Sequence, residues 1–317
     1  MSGGIKLQWR DRNYAEESHR IYRSDTPMSL SSMPTPIATL TNNVTEYIDY
    51  DVIEGNTYYY RIGAVRGADE AISDEIELVA IEVNYGPGPQ ELIAGTMTAG
   101  FFGEVQSSEF ITSDSLVTTL NITQGVPINT DTPWLKFVLD NEIIYISKKP
   151  IRRSISWEHI YQAGAVYGTN DNGLYPSGGN RLQNATVNIG DDSFKATLIK
   201  GSTTDPVASN TFGYDVDWTH NSEWNRLMYP IHSGIHTNSS NPSNPSNPSV
   251  PYAQWANYLD GDLVVGNAGF STWTQDKHPG DPTLRVLRGL NGITYADRNS
   301  STFTQSGYSY RPALRLV

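Results

Sequence analysis

Cysteine is absent from the 317 residues. That excludes disulfides, thiolate metal sites and thiol nucleophiles, so the fold must hold without covalent staples. Basic residues are scarce: 22 Lys and Arg against 34 Asp and Glu leave a formal charge of −12. An acidic surface repels phosphate backbones, and no basic run with interleaved aromatics offsets it, so nucleic-acid binding is not expected. The one basic cluster, KKPIRR at 148–153, reads as a solvated or interface face. No stretch approaches the roughly 18 uninterrupted apolar residues of a membrane span, so no membrane insertion is expected. The opening MSGGIKLQWRDRN has no apolar segment of the signal-peptide kind, and synthesis in a cytoplasm is expected. The N-x-S/T triplets at Asn43 and Asn121 then read as turn residues.

What is abundant is Tyr, Gly, Asn, Ser and Thr, a mixture that favours strands, turns and long polar loops over helices. Residues 5–82 read as short strands separated by turns. KLQWR puts Leu7 and Trp9 on one face, and SHRIYRS is a second strand. TEYIDYDV, the turn EGN and TYYYRIGAV follow, and DEIELVAIEV closes the set. The spacing predicts a β-sandwich.

This region resembles a fibronectin type III domain. The resemblance lies in Trp9, in the run Gly55-Asn56-Thr57-Tyr58-Tyr59-Tyr60-Arg61-Ile62, and in Ser73. It implies that Trp9 packs in the core, that Tyr58 is the family's structural tyrosine, and that the module spaces or binds and carries no chemistry. Trp9 lies so near the start that the family's first strand is short or missing, leaving a sheet edge for a neighbour to cover. The sandwich is assigned to residues 1–83, and NYGPGPQ at 84–90 reads as a stiff, exposed connection.

Residues 91–317 read as a mixed α+β domain with long polar loops. SEFITSDSLVTTLNI holds a short helix, and TPWLKFVLDNEIIYISKKP is a strand pair turning at Asp140-Asn141. Ser156 caps a helix in WEHIYQAGAVYG that Gly168 would stop. Ser222 caps another that presents Trp224, Leu227 and Met228 before Pro230 ends it. The segment 236–254, with its threefold NPS, reads as an exposed loop of cheaply variable length.

The closing region resembles a C-type-lectin-like fold, in the version found in formylglycine-generating enzymes and in phage ligand-presenting proteins. The likeness is carried by Thr272-Trp273-Thr274, Arg285-Val286-Leu287-Arg288-Gly289 and Gly307-Tyr308-Ser309-Tyr310-Arg311-Pro312-Ala313-Leu314. It implies structural roles for Arg288, Arg311 and Pro312, and a last strand in the central sheet beside the domain's first. LIAGTMTAGFFGEV, WLKFVLDNEIIYISKKPIRRSISWEHIYQAGAVYG and RPALRLV together resemble a recurring module of bacteriophage virion proteins, over about 92–317. The resemblance implies a virion structural protein, of tail-fibre, tail-tip or head-decoration type.

Enzyme chemistry finds little support. The oxidase chemistry of the formylglycine family needs cysteines to hold copper, and this chain has none. His232 and His236 with Asp215 and Asp217 lack the helix that would align a metal set, so no metal and no cofactor is expected. The sugar-binding triplets of calcium-dependent lectins, a nucleophile elbow and a nucleotide loop are all missing. Glu158 and Asp260 are the carboxylates a glycan hydrolase would have to bring together, a weaker alternative. A non-enzymatic reading leaves Tyr175, Trp255, Trp273, Tyr295 and Tyr308 as candidates for a ligand or partner face, since aromatics give contact area at low entropic cost. The expected partners are other virion proteins and a host-surface glycan or protein, with a homo-oligomer, trimeric as in many virion appendages, as one arrangement. The architectural alternative is a capsid decoration or neck protein that never touches a host.

Overall fold

The computed structural model of the chain describes residues 2–10, 18–41, 44–82, 85–173, 180–202, 213–214, 222–233, 254–266, 270–278, 281 and 283–317. The chain is mainly β and divides into two compact units, Met1–Asn84 and Tyr85–Val317.

The first unit is built from β1 (Ser2–Gln8), β2 (Ser18–Ser24), β3 (Ala38–Thr41), β4 (Glu46–Ile53), β5 (Thr57–Arg66), β6 (Asp69–Ile72), β7 (Ile76–Val79) and β8 (Ile81–Glu82). One sheet runs β4-β1-β8; the other runs β3-β2-β5-β6, with β7 also paired to β5. Alternation decides what faces inward. Along β5, Tyr58 and Tyr60 are buried while Tyr59 and Arg61 are only partly covered. They meet Ile5, Leu7, Ile21, Val52 and Ala80 in one core. Strands β3 and β6 were not read from the sequence: each is four residues long, too short for its alternation of half-buried and exposed positions to stand out.

Two side chains expected to be structural differ in their placement. Tyr58 is buried, and its hydroxyl accepts from the Ile53 amide at 2.9 Å, closing the turn between β4 and β5. Trp9 is only half-buried at the margin of the core, edge-on to His19 with ring centroids 5.4 Å apart.

Among the described residues the second unit has two seven-stranded sheets. The first comprises β9 (Ala94–Thr96), β10 (Ala99–Val105), β12 (Trp134–Leu139), β13 (Glu142–Ser147), β15 (Thr186–Ile189), β16 (Asp192–Thr197) and β22 (Ala313–Leu316), in the order β15-β16-β22-β13-β12-β10-β9. The second comprises β11 (Val126–Pro127), β14 (Arg152–Arg153), β17 (Gly213–Tyr214), β18 (Ser271–Lys277), β19 (Leu284–Arg288), β20 (Tyr295–Ser300) and β21 (Tyr308–Tyr310), in the order β11-β14-β21-β18-β19-β20-β17. Among the described residues the helices are α1 (Ser113–Thr119), α2 (Trp157–Gln162), α3 (Glu223–Ile231) and α4 (Asp260–Leu263). The last strand does lie in the middle of a sheet, but between β16 and β13, not beside the domain's first strand. Strands β9 and β10 sit at the far edge.

Local chemistry sets most of these boundaries. Asp140 and Asn141 both have positive φ, 50° and 67°, which is the type I′ turn a two-residue hairpin requires. Ser156 accepts from the His159 amide and Ser222 from that of Asn225, satisfying helix N-termini. The first of these helices ends at Gln162 with Gly164 at φ 76°, so Gly164 and not Gly168 supplies the left-handed stop. Pro230 lies in the last turn of α3, which runs one residue past it to Ile231. One face of that helix, Trp224, Leu227, Met228 and Ile231, packs on Phe101, Leu135, Phe137 and Ile144 of the first sheet.

The Gly/Pro stretch 84–90 is not a free connection. From Tyr85 onward it belongs to the second unit. Its carbonyls, which cannot all be paired by a backbone poor in N–H donors, take side chains instead. The Tyr145 hydroxyl donates to Pro87 O at 2.7 Å and Tyr85 O at 3.1 Å. Lys136 Nζ donates to Pro89 O at 2.6 Å and Gly86 O at 3.2 Å, between the rings of Phe102 and Tyr145. A Cβ at Gly86 would stand 2.7 Å from the Tyr145 hydroxyl, so the close approach needs glycine.

Lys136 is fully buried, and burial pushes its ammonium down to about 8 from the ordinary 10.5. Between pH 8 and 10.5 the unfolded chain therefore holds a proton there that the folded chain has released. The lysine's own contribution to stability rises with pH across that window and is at its worst below it. Melting curves of the wild type and of Lys136→Met should show it: relative to the variant, the wild type gains stability from pH 8 to 10.5. A constant difference would mean that the lysine is as well solvated folded as unfolded.

Candidate functional site

Arginines first link the framework of the second unit. Arg288 donates to Gly201 O at 3.0 Å, to Asn225 Oδ1 at 3.0 Å and to the Tyr229 hydroxyl at 2.6 Å, tying β19 to α3. Arg311 donates to Ser147 O at 3.1 Å, to Lys148 O and to Leu263 O at 2.5 Å, tying the end of β13 to α4. Both are 1% exposed, and Pro312 beside Arg311 is buried. These are structural positions.

The aromatics proposed for a binding face are scattered. Trp273 is fully buried, its indole donating to Ile155 O at 2.8 Å, and it leaves the candidate list. The strand holding it, STWTQD, is polar in sequence yet buried throughout, because its polar groups find internal partners. Asp276 Oδ2, for example, accepts from the amides of Gly201 and Ser202 and from the Thr274 hydroxyl. Tyr308 is 9% exposed, packed between Trp273 and Phe303, and its hydroxyl accepts from Asn299 Nδ2. Tyr295 and Trp255 are half-buried. Tyr175 lies outside the described residues, as do His236, Asp215 and Asp217. Glu158 takes Gln162 Nε2, and Asp260 takes His232 Nε2 at 3.0 Å; nothing among the described residues brings these two carboxylates to one site. No group of three or more His, Asp or Glu side chains suited to a metal occurs among the described residues.

A cluster that the sequence did not reveal stands where the segment 234–253 leaves and rejoins the described chain. The ends are clasped by three backbone bonds: Trp255 N to Pro230 O at 2.7 Å, Tyr258 N to Ile231 O at 3.0 Å, and Ser233 N to Tyr258 O at 3.0 Å. His232 and Asp260 add the side-chain pair above. Tyr258 donates to Glu104 Oε1 at 2.5 Å, and Lys148 Nζ reaches the same oxygen at 2.6 Å while lying 4.3 Å from the Tyr258 ring centroid. Burial first, and then the hydrogen bond to Glu104, raise the Tyr258 phenol well above its ordinary range. The phenol stays protonated, and Lys148 pairs with the carboxylate that accepts from it. The partners are 154 residues apart in the chain for Tyr258 and Glu104, which is why no local pattern announced them.

A clasp of this kind closes the loop from outside its own length. Loop-closure entropy changes by only about 0.6 kcal/mol for each doubling of length. Removal of Asn241–Ser249, the three NPS triplets, should therefore leave the melting temperature within about 2 °C of wild type, since a shift of 1 kcal/mol is worth about 2–4 °C in a unit of this size. A much larger drop in a thermal scan would mean that the NPS repeats carry packing.

No protein-family model matches the chain, and no curated protein matches it.

Proposed function

We propose that the chain is a non-enzymatic structural protein of a bacteriophage particle. A fibronectin type III-like module at the front would hold a C-type-lectin-like head whose long polar loop meets a host-surface glycan or protein. The observation that carries it is the clasp: a cross-linked, arginine-pinned base that joins the two ends of a low-complexity segment of 20 residues, 234–253, in which length and sequence can vary at little cost to the fold. Loops on a rigid scaffold are where binding diversity is cheapest. Other observations support the module assignments. In the first unit β4-β1 faces β3-β2-β5-β6, and Tyr58 bonds back to a backbone amide upstream as a tyrosine corner does. In the second, Arg288 and Arg311 of the resembling motifs are both interior.

Immunogold labelling of intact particles with an antibody raised against the whole chain tests this. Label at the tail tip or fibres is the expected result and leads next to receptor screens. Label spread over the head favours the decoration reading. Absence of the chain from purified particles, by labelling and by mass spectrometry, overturns the virion reading altogether.

A further inference from the structure

We propose that the first unit accepts an extended strand from another polypeptide, added along the open edge of β1 with an apolar side chain seated beside Trp9 and His19. Strand β1 is paired with β4 from Ser2 to Gln8, but on its other side β8 reaches only Gly3 and Gly4. From Ile5 onward that second edge has no strand among the described residues. Trp9 N donates to Thr45 O, so with a two-residue period Ile5 and Leu7 turn their backbone groups to β4. Lys6 and Gln8 turn theirs to the open side. An unpaired edge of this kind is a template for strand addition.

Beside the end of β1 lies an open cavity of about 260 Å³, walled by Trp9, Arg10, His19, Ile62 and Ala64 of β5 and the exposed Ala71 of β6. It is smaller than the roughly 300–1,000 Å³ of small-molecule sites, and suits a single side chain better than a cofactor. Two polar atoms of its lining residues, shielded from water, have no hydrogen-bond partner among the described residues: Trp9 Nε1 and Nδ1 of His19, a residue only 1% exposed. An indole N–H calls for a carbonyl or carboxylate oxygen. Arg10 stands exposed at the same mouth with no ion-pair partner among the described residues. The chemistry that fits is a strand with an apolar residue flanked by an acidic one. The edge and the cavity both belong to the first unit.

The test uses the full chain with a Thr-Val-Glu-Val-Thr-Val strand tethered to its N-terminus by about 12 Gly and Ser residues, which supplies millimolar effective concentration. The comparison is the same chain bearing a Gly/Ser extension only. Hydrogen exchange at the Lys6 amide is expected to slow at least tenfold with the strand. Ala71→Trp, at an exposed position that fills the cavity, and Gln8→Pro, which removes an outward amide without touching the ladder to β4, should each abolish the effect. An unchanged Lys6 amide, equal slowing by the Gly/Ser extension, or protection that survives both substitutions would overturn the proposal.

Discussion

Replacing Arg311 by alanine should cost the second unit roughly 4 kcal/mol or more, and replacing it by lysine should cost nearly as much. The guanidinium is interior, with acceptors on three elements: Ser147 and Lys148 at the end of β13, Leu263 in α4 and Thr272 in β18. Burial pushes it down to about 9, still charged at neutral pH. Truncation leaves a cavity and several orphaned carbonyls, each worth about 1–3 kcal/mol when buried and unpaired. A lysine carries the charge but not the planar fork, so it cannot reach β13 and α4 together. Six of the seven tryptophans belong to the second unit, so the fluorescence-detected urea midpoint reads this unit. A lysine variant within about 1 kcal/mol of wild type would show that charge, and not geometry, matters at this position.

That arginine was legible only through a resemblance, and the contrast with what local pattern reveals is instructive. β2 coincides with SHRIYRS, and the pair β12–β13 with the run read as a hairpin, because alternation and turn residues are properties of neighbours in sequence. Ser156 and Ser222 announce helix starts for the same reason. Position in the interior is another matter. Lys136 lies in WLKFVL, a strand buried on both faces, and its partners are carbonyls 47 and 50 residues away. Trp273 sits in a run of Ser, Thr, Gln and Asp that looks solvated and is not, since Asp276 finds its donors at Gly201 and Ser202. The clasp around Tyr258 joins β10, the end of β13 and the start of α4. Polar residues paired across long sequence separations carry no periodic signature, and both the candidate site and the pinned 85–90 segment are built from them.

The largest effect in the first unit is expected at Asp49. It lies on β4, 1% exposed, and accepts from Arg23 Nη1 at 3.0 and 2.9 Å and from the Tyr60 hydroxyl at 2.8 Å. Arg23 and Tyr60 belong to β2 and β5 of the facing sheet, so one carboxylate joins the two layers. Burial, and then the bond to Asp49, push the Tyr60 phenol far up, so it remains a donor at any ordinary pH. Asp49→Ala leaves a partly buried cation and a buried hydroxyl without their acceptor, a loss of about 3–5 kcal/mol by analogy with broken buried pairs. A unit of about 80 residues has a total stability of roughly 4–12 kcal/mol at 0.05–0.15 kcal/mol per residue, so the variant stands near unfolding. Asp49→Asn keeps an acceptor for Tyr60 but turns an amide toward Arg23, and should fall between. In limited proteolysis of Asp49→Ala the segment before Asn84 should be degraded while a fragment beginning near Tyr85 persists, the two units being separately compact. Resistance of the first unit equal to wild type would mean that its layers are held by the apolar core alone, with Asp49 satisfied but dispensable.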